Sequence, residues 1–214
     1  MFAAAEELAA AGCTLLQYRN KSGNARQMLE EARELRARLG ARAGTGMPRP
    51  PATAELRSAW TGEGARPHTN ASVTLIMIMN DRADLCLAAG FDGLHVGQDD
   101  LSPEAARLII GARWLGVSTH NLEQLAEADQ TSADYLAIGP IFATSSKANP
   151  DPVVGLEGLR RARELTRKPL VAIGGITRAN GRSVIDAGAD SVAVISDLLR
   201  DPRKSAEEFL GILR

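Results

Sequence analysis

From residue 73 onward the chain alternates short apolar runs with amphipathic stretches, and few folds accommodate that pattern. The runs cover residues 73–79, 94–96, 114–117, 135–138, 170–173 and 192–195. Each leads into a segment with helical spacing, at 82–89, 103–110, 122–128, 156–165, 178–187 and 203–213. The runs are nearly continuous rather than alternating in polarity, as strands covered on both faces should be. Ser102 followed by Pro103 marks a helix start. Upstream, residues 1–11 read as a helix ended by Gly12, 14–18 as a strand and 24–39 as a strong helix. Strand and helix therefore alternate seven times after an opening helix. That order predicts an α/β fold with a parallel sheet, a (β/α)8 TIM barrel. Because seven strands are counted and the chain opens inside a helix, the first strand of the barrel is expected to be lacking. A late chain start and an unclosed barrel are the two accounts of it, and the latter would leave bare edges.

A length of 214 residues suits one domain, so residues 1–214 are expected to form a single barrel. One stretch breaks the rhythm. Residues 41–72 are rich in Pro and Gly, show no sustained period and read as a loop insert. Its bases, Arg42, Arg49, Arg57 and Arg66, and its His68 read as solvated. With 44% hydrophobic residues and only 4% aromatic, the core must be built from Ala, Val, Leu and Ile. A net charge of -1 argues against nucleic-acid or membrane-surface partners held by bulk charge. Cys13 and Cys86 have no metal-ligand spacing and fit a reducing compartment. No apolar run reaches membrane length and Glu6-Glu7 sit where a signal peptide needs bases, so the expected location is cytoplasmic. A homo-oligomer is left open.

In a barrel of this kind the residues just past each strand share one mouth. Asp81 and Asp100 both fall there, after the runs at 73–79 and 94–96. A lone aspartate at such a place ordinarily caps a helix or opens a loop. What argues for a ligand site is that other strand ends are polar too. Gln17, Arg19 and Lys21 alternate along one face, and Asn80, Ser118, Thr144, Ser146 and Lys147 follow later strands. Gly174-Gly175 and Ile195-Ser196 end the last two, in a form suited to a phosphate held by backbone N–H groups. One or two carboxylates suit Mg2+, which completes its shell with water and substrate phosphate. The mouth thus reads as built for two phosphorylated ligands, one with a metal. His95 reads as a hydrogen-bonded barrel histidine, and His120, just past Ser118, is open to a catalytic role.

The residues that carry these groups resemble one family. Gln-x-Arg-x-Lys at 17–21, Asn-Asp-Arg at 80–82, His-Val-Gly-Gln-Asp-Asp at 95–100 and Gly-Val-Ser-Thr-His at 116–120 resemble thiamine-phosphate synthase. So do Asp-Tyr-Leu-Ala-Ile-Gly-Pro-Ile-Phe-Ala-Thr-Ser-Ser-Lys at 134–147, Ala-Ile-Gly-Gly-Ile at 172–176 and Val-Ile-Ser at 194–196. The resemblance runs from about Gly12 to the C-terminus, with the insert as its gap.

It implies a transferase that joins hydroxymethylpyrimidine pyrophosphate to thiazole phosphate, giving thiamine phosphate and pyrophosphate with Mg2+. By position, Gln17, Arg19, Lys21, Asn80, Ser118 and Lys147 resemble the ligands of the pyrimidine pyrophosphate. Asp81 and Asp100 resemble the metal ligands, and Thr144, Ser146, Gly175, Ile195 and Ser196 the contacts of the thiazole phosphate. Arg19, Lys21, Ser118 and Lys147 form the implied catalytic set, three of them cations able to neutralise a departing pyrophosphate. The resemblance gives His120 no role. The alternatives are a thiazole tautomerase of the sister family and an inactive phosphate-binding barrel. The tautomerase needs no pyrophosphate grip, so Gln17, Arg19, Lys21, Asp81 and Asp100 speak against it. The insert joins a helix to the next strand, which puts it at the face opposite the mouth. Replacing residues 45–69 with a short Gly/Ser bridge is expected to leave steady-state turnover within about tenfold of the intact chain, a small change in barrier. Loss of turnover in a folded deletion variant would contradict that placement.

Overall fold

A computed structural model describes residues 1–40, 75–144 and 151–213. The insert expected at 41–72 lies outside the described residues. The order is α1 (Phe2–Ala10), β1 (Leu15–Tyr18), α2 (Ala25–Leu39), β2 (Ile76–Asn80), α3 (Ala83–Ala88), β3 (Gly93–Val96), α4 (Pro103–Ile110) and β4 (Trp114–Thr119). It continues with α5 (Leu122–Asp129), β5 (Tyr135–Ile138), α6 (Gly155–Leu165), β6 (Leu170–Ile173), α7 (Gly181–Asp186), β7 (Ser191–Ala193) and α8 (Pro202–Ile212). Among the described residues the strands form one seven-stranded parallel sheet in sequence order. This is an α/β fold of the TIM-barrel type, with β1 and β7 at the ends of the sheet. α1 and α8 pack against each other, so the first and last helices meet. Among the described residues no helix is long and apolar enough to cross a membrane.

Local chemistry sets the element ends. Asn24, Ser102, Asn121 and Asp201 cap α2, α4, α5 and α8 through their side chains. α1 closes as the glycine predicts. Gly12 takes a φ of 101°, its N–H bonds to Ala9 and that of Cys13 to Leu8, which is a Schellman ending. Several boundaries shift by a residue or more, β4 for instance running on to Thr119 so that Ser118 lies within it, and two shifts have a visible cause. α7 starts at Gly181 rather than 178, because Arg178 turns to Asp197 and the Asn180 side chain accepts from Thr177 N–H. β7 ends at Ala193, since its ladder with β6 stops at Ile173.

The two faces of the sheet bury different things. Toward the helices, Met77, Met79, Leu94, Val96, Leu115, Val117, Leu136 and Ile138 join one large core. The concave face holds only small clusters, around Ile76, Ile78 and Trp114 and around Tyr135, Ala137 and Val171. Glycines make room there. A Cβ on Gly93 would stand 2.5 Å from Trp114 Cβ, and one on Gly116 2.0 Å from Tyr135 Cζ.

At the opposite edge from the mouth one device recurs three times. Asp92, Asp134 and Asp190 each stand just before a strand (β3, β5 and β7). The N–H of each donates to the preceding strand, at Met77 (2.9 Å), Leu115 (2.8 Å) and Leu170 (2.9 Å). Each carboxylate accepts the N–H of that same residue, at 2.9 Å in all three cases. It also takes an arginine from the helix before that strand. Arg36 of α2 meets Asp92 at 3.0 Å, Arg107 of α4 meets Asp134 at 2.6 Å and Arg163 of α6 meets Asp190 at 2.7 Å. The units therefore repeat as helix, strand and next strand. Asp134 is the most enclosed, its side chain 3% exposed. Replacing it with Ala strips the acceptor from Leu115 N–H and leaves Arg107 facing a hole. The expected cost is about 3–5 kcal/mol, the range for breaking a buried pair from one side. Urea denaturation of Asp134→Ala, with Glu123→Ala as an exposed control, measures it.

Candidate functional site

The mouth is built at the C-terminal ends of the strands. β1 carries Gln17 toward the mouth and Tyr18 toward the helices. The Tyr18 hydroxyl donates to Glu31 of α2 at 2.5 Å, and Asn20 Nδ2 donates to the same carboxylate at 2.9 Å. Burial and the Glu31 charge push the Tyr18 phenol up to about 12. This anchor fixes alternate residues of the loop and leaves Gln17, Arg19 and Lys21 exposed on the other side. Gln17 Nε2 reaches Asn80 Oδ1 of β2 at 3.4 Å, and Lys21 Nζ sits 2.5 Å from Asp81 Oδ2.

Asp81 is not the helix cap that a lone aspartate would suggest. The N-cap of α3 is Arg82, which makes no side-chain cap bond. Asp81 takes a left-handed φ of 63°, the one described non-glycine residue to do so. That conformation is uncommon but is tolerated by Asp. Its N–H is held by His95 O at 2.8 Å. Asp100, from the loop after β3, accepts Gly97 N–H at 2.7 Å and comes within hydrogen-bonding reach of Asp81. Burial pushes the Asp100 carboxyl above its ordinary value. The Gly97 bond opposes that rise, the Asp81 charge adds to it, and Lys21 pulls the other way. Two close carboxylates of this kind are hard oxygen donors for a divalent cation, and Lys21 is the cation beside them. Among the described residues no group of three or more His, Cys, Asp or Glu side chains could hold a metal. A pair of carboxylates such as Asp81 and Asp100 is a donor set that fits Mg2+, which takes one or two and completes its shell from water and substrate phosphate.

Ser118 of β4 lies between these groups and the interior. Its Oγ is 2.8 Å from His95 Nε2, and its carbonyl accepts Gln98 Nε2 at 2.6 Å. His95 Nδ1 is 3.0 Å from the hydroxyl of Tyr135 on β5. Burial drives the His95 imidazole down to about 4, so it is neutral at pH 7. His120 instead bonds Gly139 O at 2.8 Å through Nδ1 and stands 3.5 Å from Asp151.

The other half of the mouth is backbone. After β5 the chain passes a cis Gly139-Pro140 bond and folds over β6, with Ile141 N–H on Ile173 O and Phe142 N–H on Gly174 O. Gly174 and Gly175 have φ of 87° and 67°, and a Cβ on Gly175 would lie 2.6 Å from Ala143 O. Thr144, next to Ala143 in sequence, is half-buried. Ser146 and Lys147 lie outside the described residues. Past β7, Ile195 and Ser196 are exposed. Arg178 then straps the two loops together. It bonds Asp197 from its backbone N–H and from two guanidinium nitrogens, at 2.9, 3.0 and 3.2 Å. These bonds hold the Asp197 carboxyl below the ordinary range. Tyr135, Gln98 and the Tyr18–Asn20–Glu31 anchor were not singled out from sequence, although Tyr135 and Gln98 stand inside quoted motifs.

A parallel sheet with two carboxylates, basic side chains and paired glycines at its C-terminal edge defines a TIM-barrel-type protein with a polar mouth fit for phosphates. The family model described as thiamine monophosphate synthase matches residues 61–198. A thiamine-phosphate synthase from Koribacter versatilis (strain Ellin345) is 60% identical over 210 residues, covering 98% of this chain and 84% of that protein. One from Chloroflexus aurantiacus is 43% identical over 185 residues, covering 86% of this chain and 71% of that protein. The solved structure of a thiamine phosphate pyrophosphorylase from Pyrococcus furiosus aligns with a TM-score of 0.78 at 31% identity, covering 99% of this chain and 88% of that one. The chain belongs to the thiamine-phosphate synthase family.

His95 yields a pH prediction. Its folded value near 4 lies below the ordinary 6.5, so between those values the unfolded chain binds more protons. Stability from this group is full above about 6.5 and is lost as pH falls toward about 4. In urea titrations across that window, His95→Gln is expected to flatten the loss.

Proposed function

We propose that this chain joins hydroxymethylpyrimidine pyrophosphate to thiazole phosphate, forming thiamine phosphate and releasing pyrophosphate, with Mg2+ as cofactor. The observation that carries this reading is the meeting of Lys21, Asp81 and Asp100, from the ends of β1, β2 and β3, at one mouth. Gln17, Arg19, Lys21, Asn80 and Ser118 are the proposed grip on the pyrimidine pyrophosphate. Asp81 and Asp100 would hold Mg2+, which when bound supplies positive charge for the leaving pyrophosphate. Arg19 and Lys21 add charge from the protein side. Lys147 and Ser146 join the scheme on the resemblance alone. Thr144 and the backbone at Gly175, Ile195 and Ser196 take the thiazole phosphate, a role supported by the left-handed glycines and the Arg178–Asp197 strap. The thiazole nitrogen is the nucleophile and carries its own lone pair, so no general base is assigned.

The same proposal extends to the fold. We read the sheet as a single-domain (β/α)8 barrel lacking its first strand, working in the cytoplasm. Supporting this are the two sheet ends at β1 and β7 and the contact between α1 and α8, which brings the helices together where the strands do not.

The test is steady-state kinetics across a Mg2+ titration. Asp81→Ala and Asp100→Ala remove interactions that strengthen as pyrophosphate departs, so kcat should fall by about two to four orders of magnitude. Thr144→Ala removes a contact to a phosphate whose charge does not change, so KM for the thiazole phosphate should rise about tenfold. Added Mg2+ should partly rescue the aspartate variants and leave Thr144→Ala as it was. Aspartate variants with normal kcat and metal dependence would overturn the reading.

A further inference from the structure

The concave face contains a chain of three polar side chains that the metal and phosphate groups do not explain. Tyr135, His95 and Ser118 come from β5, β3 and β4. In the ladder, His95 pairs with Gly116 and Gly116 pairs with Tyr135. The two rings therefore flank one residue of the strand between them. They meet across it because that residue is glycine: a Cβ there would stand 2.3 Å from Tyr135 Oη and 2.4 Å from His95 Nδ1. Ser118 is one pleat further along β4, on the same face and nearer the mouth. The chain thus runs outward, from Tyr135 at 5% exposure through His95 at 8% to a half-buried Ser118.

A neutral imidazole offers one donor and one acceptor, so two arrangements are open. In one, His95 Nδ1–H donates to Tyr135, and the Ser118 hydroxyl spends its proton on Nε2. The Ser118 oxygen could then meet an anionic ligand only with lone pairs. In the other, the Tyr135 hydroxyl donates to Nδ1, Nε2–H donates to Ser118 Oγ, and the Ser118 proton is free to point into the mouth. A pyrophosphate presents acceptors only, so only the second arrangement serves it.

We propose that Tyr135 and His95 are positioning residues that fix the imidazole proton on Nε2 and so present the Ser118 hydroxyl as a donor to the pyrimidine pyrophosphate. The role assigned to Ser118 rests on the synthase reading, but the tautomer does not. Gln98, through its bond to Ser118 O, holds the backbone of the same residue.

The full chain holds three histidines, His68, His95 and His120, so ring proton–nitrogen correlation spectra of the labelled protein resolve each tautomer. His95 should carry its proton on Nε2, and His95→Gln assigns the signal. In Tyr135→Phe the donor to Nδ1 is gone, and the proton should redistribute to that nitrogen. Synthase kcat in this variant should fall about tenfold to a hundredfold, the scale of misplacing an aligned group, with KM for the thiazole phosphate unchanged. His95→Gln, whose amide can still donate to Ser118, should retain more activity than His95→Leu. A proton found on Nδ1 in the unsubstituted chain, or a Tyr135→Phe variant with the tautomer and kcat unaltered, would overturn the proposal. If the unsubstituted chain makes no thiamine phosphate, the synthase reading fails, and the tautomer measurement, which needs no substrate, still decides the relay.

Discussion

A parallel strand pair has no tight turn to set its register, so something else must fix it. Here that task falls to a carboxylate at the closed edge of the sheet. Asp92, Asp134 and Asp190 each answer an N–H at the start of a neighbouring strand and a guanidinium from the helix leading into it. A slip of one residue would swap the faces of a strand and break both bonds together. Asp92 reaches further, because its carbonyl also accepts Trp114 N–H at 3.0 Å and so links β2, β3 and β4. With the lower ends pinned, the upper ends come out level, and Asn80, His95 and Gly116 stand in consecutive register across three strands. The alignment of the mouth is thus set on the far side of the molecule from the mouth itself.

Glycine does the complementary work at and near the mouth. Gly116 lets two rings touch across a strand, and Gly174-Gly175 let backbone lie against the Pro140–Ala143 loop. Asp81 breaks the usual rule by taking a left-handed conformation while keeping its side chain. A glycine would relieve the backbone at that position but would remove the carboxylate that meets Lys21. An uncommon conformation held in place by the Asp81 N–H bond to His95 O is what turns the carboxylate away from capping α3.

Much of this was legible in the sequence, for identifiable reasons. The seven strands and most helices follow from apolar runs and caps, because strands buried on both faces read as short, nearly continuous apolar runs between helical stretches. Lys21, Asp81 and Asp100 could be assigned to one mouth because a parallel sheet puts all strand ends on one side. The three aspartates at the opposite edge were not legible. Each reads as an ordinary loop residue before a strand, and its meaning lies in a helix arginine 56 positions away for Asp92 and 27 away for Asp134 and Asp190. The His95–Tyr135 contact was hidden likewise, since it depends on a glycine in a third strand. The start of α7 was misplaced because Arg178 and Asn180 carry helix-like spacing while their side chains are committed to Asp197 and to the backbone of Thr177 and Gly175.

The carboxylate pair itself is best understood as an incomplete site. Burial and the neighbouring Asp81 carboxylate raise the cost of ionising Asp100. Lys21 offsets only part of that cost, and its side chain is 57% exposed. A third carboxylate would bind a metal more tightly but would also satisfy it, leaving fewer positions for a phosphate oxygen. On the proposed reading, a pair of carboxylates would hold the cation weakly until a ligand brought its own oxygens. Metal and pyrophosphate would then bind as mutual conditions, and the exposed Lys21 could exchange Asp81 for the incoming phosphate. On that reading, ligand binding would relieve the repulsion at Asp100, so part of the binding energy would be realised where the leaving group must later carry its charge.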